Sequence, residues 1–74
     1  MYDLKKQNLA NAEHFGYEAQ SNQLVEECAE LIQAVSKYRR AAAEDEKMIA
    51  LSNLIEEVAD VEIMFEQIKH LLQI

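Results

Sequence analysis

A chain of 74 residues, half of them apolar, with 14 acidic and 7 basic side chains and a formal charge of −7, is a single domain and is not disordered by composition. That acidity argues against binding the nucleic-acid backbone or an anionic membrane, since both need a basic surface; phosphates remain accessible through a divalent cation. One glycine and no proline argue against a turn-rich β sandwich and against a glycine-rich phosphate loop.

In chain order, the spacing predicts three helices. Residues 2–14 form a short, mostly polar helix with Leu4, Leu9 and Ala12 as a thin apolar stripe. Gly16 is the break after it, the one residue here that takes positive φ without cost. The second helix runs from about Tyr17 to Arg40, and its basic end, Lys37, Arg39 and Arg40, suits the negative pole of a helix C-terminus. Ala41 to Glu46 is the expected connection, although the alanines equally allow the second helix to continue. The third helix runs from about Lys47 to Leu72.

Leu24, Cys28, Leu31, Ile32, Val35 and Tyr38 make one apolar stripe on the second helix; Leu54, Val58, Val61, Met64, Phe65, Ile68, Leu71 and Leu72 make another on the third. Ile55 and Ile63 fall outside the latter and suggest a second buried face. The expected fold is therefore all-α, a helical bundle of two long helices and one short one, with a four-helix core completed by dimerisation. The lone Cys28 is read as a small buried residue in a reducing compartment. No stretch has the pattern of a membrane span or signal peptide, so the expected location is cytoplasmic.

Most of the acids, Glu13, Glu18, Glu62 and Glu66 among them, are expected on solvated surface. Glu57 is different. At about 100° per residue it falls near the middle of the apolar arc formed by Leu54, Val61, Met64 and Ile68, with Asp60 at the margin. On the second helix Glu27 lies at the edge of its stripe and Glu30 about 60° further round. Two facing helices would thus bring two acid pairs, each at i, i+3, to one seam. Four carboxylates repel unless something neutralises them. An all-oxygen set suits Mg²⁺ or Mn²⁺, and the absence of a Glu-x-x-His motif argues against a di-iron site. The alternative is structural: acids paired with Lys37, Arg39 or Arg40.

These motifs resemble a known family. Glu26-Glu27-Cys28-Ala29-Glu30 reads E-E-x-x-E and Glu57-Val58-Ala59-Asp60 reads E-x-x-D, at an interval similar to that of the MazG-like nucleoside triphosphate pyrophosphohydrolases. The resemblance spans roughly residues 15–72, including Phe15-Gly16-Tyr17-Glu18-Ala19-Gln20 before the first motif and Asn53-Leu54-Ile55-Glu56 before the second. It implies an all-α fold, a homodimer or dimer of dimers, and Mg²⁺-dependent cleavage of a nucleoside triphosphate to monophosphate and pyrophosphate. Position by position, it implies Glu27, Glu30, Glu57 and Asp60 as metal ligands and Glu26 as an auxiliary acid, so that Glu26 and Glu27 are the catalytic candidates. Lys37 is a candidate phosphate contact or a salt-bridge partner. Gln20 is a candidate contact to base or sugar, or a structural amide. The chain stops soon after the third helix, where many relatives continue, and offers Gln67 where relatives often carry asparagine and basic residues. A non-catalytic helical dimerisation or interaction module, a reduced relative of the family, is the competing expectation.

Overall fold

The computed structural model describes residues 3–74 as two helices, α1 (Leu4–Arg40) and α2 (Glu44–Leu72), with no strand among the described residues. The expected helix start at residue 2 lies outside them. α1 is not straight. Gly16 has φ 84° and ψ 170°, a backbone region that only glycine occupies readily, and it interrupts the helix where the sequence predicts a break. α1 thus consists of two helical arms joined at Gly16, the first of which is the short helix expected from the sequence.

Contacts with α2 show what the break does. In the second arm, residues 17–40, Gln20 meets Gln67 while Glu27 lies beside Asp60, so this arm runs antiparallel to α2. In the first arm, residues 4–15, Asn8 reaches the carbonyl of Ile63 at 3.3 Å and Glu13 reaches His70 at 2.8 Å, so this arm runs in the same sense as α2. The chain doubles back at a single residue. Asp3 caps the first arm by accepting from the Lys6 backbone N–H at 3.2 Å.

The connection between α1 and α2 is shorter than expected. α1 ends at Arg40, Ala41 is extended (φ −63°, ψ 128°), and its N–H closes the last turn on the carbonyls of Lys37 and Tyr38. Only Ala41, Ala42 and Ala43 lie between the helices; Glu44, Asp45 and Glu46 form the first turn of α2 rather than the loop. Three acids in that turn sit against the positive end of the helix dipole, which favours starting the helix there. At the other end Gln73 takes the left-handed conformation (φ 59°, ψ 43°) and terminates α2 with its N–H on the carbonyl of His70, while the Ile74 N–H reaches that of Lys69.

The core is thin. Ala12, Ala34, Val61 and Met64 are its buried apolar residues, and one polar side chain, Gln67, is buried with them at 4% exposure. Gln67 is satisfied from both sides: its Oε1 accepts from Gln20 Nε2 at 2.6 Å, and its Nε2 donates to Asn8 Oδ1. This relay ties both arms of α1 to α2. Ile55 and Ile63, expected on a second buried face, are exposed in the single chain.

Candidate metal centre

The two acid pairs reach one seam because antiparallel packing aligns Glu27 and Glu30 of α1 with Asp60 and Glu57 of α2. One carboxylate oxygen from each of Glu27, Glu57 and Asp60 lies within 4.8 Å of the other two. Glu30, on the exposed side of the seam, is close enough for its charge to act on Glu57. Glu27 and Glu57 are half-buried, and Asp60 is exposed.

Among the described residues no cation balances this cluster. The sole contact of ion-pair type among them is His70 Nε2 with Glu13 Oε1, remote from the four acids. Lys37 lies two helical turns beyond Glu30, about 10 Å of axial rise, and pairs with none of them; Arg39 and Arg40 lie further still. The structural alternative of a lysine or arginine partner is therefore not realised. Two oxygens, Oε2 of Glu27 and Oε2 of Glu57, are shielded from solvent with no hydrogen-bond partner. The other oxygen of Glu27 accepts from Gln23 Nε2 at 2.8 Å, which holds that carboxylate in place.

The electrostatic consequence falls on Glu57. Desolvation pushes its carboxyl above the usual range, and the charges of Glu30, Asp60 and Glu27 push it further in the same direction. The folded chain thus holds the Glu57 proton more tightly than the unfolded chain. The stability from this group is fully present below the ordinary carboxylate range and is lost as pH rises through the raised value. Thermal melts without divalent metal should accordingly show wild type gaining stability on mild acidification relative to Glu57→Gln. Parallel pH profiles for the two proteins would contradict this.

All-oxygen donors of this kind are those a hard divalent cation takes. Glu27, Glu57 and Asp60, each with an oxygen within 4.8 Å of the other two, are the residues that would hold such an ion. The two unpartnered oxygens are acceptors without a donor. No histidine or thiolate joins them: His70 is engaged by Glu13, and Cys28, next to Glu27 in sequence, projects about 100° away from it.

Glu26 is exposed next to Glu27. Gln20 lies two turns before Glu27, and its amide is engaged by Gln67. Lys37 lines a shallow cleft of about 340 Å³ with Arg40, Glu46, Ile49 and Asn53, next to the cluster along the seam rather than in it. Of the acids expected on solvated surface, Glu13 is exposed and pairs there with His70, whereas Glu66 is half-buried with its Oε1 shielded and unpartnered. Gln23 belongs to no motif read from the sequence, though its i, i+4 spacing to Glu27 is the signal that finds it.

Comparison with protein-family models, curated proteins and solved structures finds no match to this chain.

Proposed function

We propose that the chain is a Mg²⁺-dependent nucleoside triphosphate pyrophosphohydrolase, cleaving the substrate between its α and β phosphates to a monophosphate and pyrophosphate. The observation that carries this reading is the convergence of Glu27, Glu57 and Asp60 from two facing helices, with the charge of Glu30 acting on Glu57, no protein cation beside them among the described residues and two shielded, unpartnered oxygens. The resemblance of E-E-x-x-E and E-x-x-D to the MazG-like pattern supports it. In this reading the partners are a nucleoside triphosphate and further copies of the chain, as a homodimer or dimer of dimers, and the protein works in the cytoplasm. Among the described residues, no helix is long and apolar enough to cross a membrane.

Glu27, Glu30, Glu57 and Asp60 would hold the ion. Bound there, Mg²⁺ or Mn²⁺ supplies charge neutralisation and Lewis-acid activation. The chain's own residues do the rest. Gln23 fixes the direction of Glu27. Glu26, exposed on the outer side of the same turn, accepts the proton of the water that attacks phosphorus, with Glu27 as the other candidate base. As the new P–O bond forms, the bridging oxygen leaves with pyrophosphate. Lys37, next along the seam, would meet an extended triphosphate tail, and Gln20 would lie toward the opposite end.

Two measurements test this. Millimolar Mg²⁺ should raise the melting temperature, because a ligand held only by the folded state adds about 2.7 kcal/mol at 100 times its Kd. For a domain of this size that is roughly 10 °C or more. Pyrophosphate release should be detected for at least one member of a panel of ribo- and deoxyribonucleoside triphosphates. A melting curve unmoved by Mg²⁺ with and without nucleotide, together with no release from any of them, sinks the reading. The exposed apolar surface supports a second reading, a helical dimerisation or interaction module without turnover; it keeps the association and loses the pyrophosphate.

A further inference from the structure

The carboxylate side of the hairpin continues past the acids toward the loop, and what it meets there is basic. Lys37 follows Glu30 by seven residues, and Asn53 precedes Asp60 by seven. Seven residues are about 10 Å of rise and return to within about 20° of the same direction. Because residues 17–40 run antiparallel to α2, both steps go the same way along the seam. Lys37 and Asn53 therefore stand level with one another, on the side that carries Glu30 and Asp60. The cleft of about 340 Å³ opens there, lined also by Arg40, Glu46, Ile49 and Ala50.

This lining suits an anion. It holds two bases and one acid, on a chain whose acids outnumber its bases two to one. Four of the seven bases, Lys37, Arg39, Arg40 and Lys47, cluster around the loop. Among the described residues neither Lys37 nor Arg40 has a carboxylate at ion-pair distance. Asn53 adds an amide donor, and the positive pole of α2, which starts at Glu44, lies at the same end. The other direction along the seam differs. Gln20, Gln67 and Asn8 engage one another there, and Lys69, the one lysine or arginine of α2 beyond Asp60, is turned half a revolution away from it. A volume of about 340 Å³ is at the small end of ligand sites, room for a short polyphosphate segment rather than a whole nucleotide.

We infer that this cleft is a pyrophosphate subsite, in which Lys37, Arg40 and Asn53 hold the two terminal phosphates of the substrate while the phosphate under attack lies over the carboxylates. The inference rests on the reading of the seam as a triphosphate site and adds the direction in which the substrate lies. Lys37 supplies a point charge, whereas the planar guanidinium of Arg40 grips phosphate oxygens two at a time. A diphosphate leaves that guanidinium without its partner, so the cleft selects three phosphates over two. It also retains pyrophosphate after the bond to the α phosphorus is broken, which makes that product an inhibitor.

Inorganic pyrophosphate is the probe. Titrated into the full chain with Mg²⁺ in excess, it should bind and shift backbone amide resonances within residues 37–53. Arg40→Gln should weaken this binding about tenfold or more, the usual loss for a charged hydrogen-bond partner, and Asn53→Ala by a smaller factor. Both side chains are exposed, so the melting temperatures should stay at the wild-type value. Lys69→Gln, which removes one base from the far side, should bind as wild type does. Absence of binding at millimolar pyrophosphate overturns the inference. So does a loss in Lys69→Gln equal to that in Arg40→Gln, because the attraction is then one of net charge. The chemistry is judged separately. Pyrophosphate bound in the cleft with no nucleotide cleaved upholds the subsite and fails the hydrolase. Cleavage by Arg40→Gln at wild-type kcat and KM upholds the hydrolase and overturns the subsite.

Discussion

Glu57→Gln should raise the melting temperature of the metal-free protein and abolish most of its Mg²⁺-dependent activity. The substitution keeps the side chain's shape and removes one of four mutually repelling charges, the one whose carboxyl is pushed toward its neutral form. No lysine or arginine is stranded by it, since none pairs with the cluster among the described residues. The amide offers Glu30 a donor and loses the strong acceptor a hard cation requires. Replacing even an outer partner of a metal site costs about 10- to 100-fold, so loss of a direct ligand should exceed about 100-fold in triphosphate cleavage. The Mg²⁺-induced thermal shift should shrink in parallel. A variant less stable than wild type in metal-free buffer, with its activity unchanged, would remove Glu57 from the site.

Gly16→Ala should destabilise the chain by about 1–3 kcal/mol, the usual cost of forcing a non-glycine residue into such a region. Nothing lies within 4 Å of a Cβ built there, so the cost is backbone strain and not a collision. That distinction is measurable. Gly16→Ala and Gly16→Ser, which differ in side-chain size, should lose similar stability in denaturant melts, whereas a steric origin makes serine worse. Because the first arm is joined to the rest through this residue, hydrogen exchange in residues 4–15 should rise more than in α2. Wild-type stability in Gly16→Ala would mean that the reversal can be made with ordinary dihedrals.

Much of this architecture is legible in the sequence because helices declare themselves by period. The 3–4 spacing from Leu24 to Tyr38 and from Leu54 to Leu72 locates both long helices, and rotating each about its axis brings Glu27, Glu30, Glu57 and Asp60 together. The sharpness of the turn at Gly16 is not legible, since a glycine announces permission to leave the helix without stating the angle taken. The start of α2 is ambiguous for a related reason: Glu44, Asp45 and Glu46 are favoured both just before and just inside a helix N-terminus. Ile55 and Ile63 stand out as apolar residues off the stripe and are exposed, and so are Leu51, Val58, Phe65 and Leu72, most of them within the stripe itself. A stripe read from one helix cannot say how much of its width the neighbouring helix will cover. Gln67 is hidden in the same way, because its burial depends on Asn8, 59 residues away in sequence.

The Asn8–Gln67–Gln20 relay resolves an ambiguity that the apolar residues create. A helix with apolar side chains every seven positions can slide by a full heptad against its neighbour and meet an equivalent surface, so hydrophobic burial alone leaves several alignments nearly equal in energy. Sliding α2 by seven residues would bring either Asp60 or Ile74 to Gln20 and Asn8 in place of Gln67. The first buries a carboxylate among amides; the second orphans both amides, at about 1–3 kcal/mol for each polar group left without a partner. A single hydrogen-bonded glutamine, adding little net binding of its own, thus selects the one alignment in which the four carboxylates can meet.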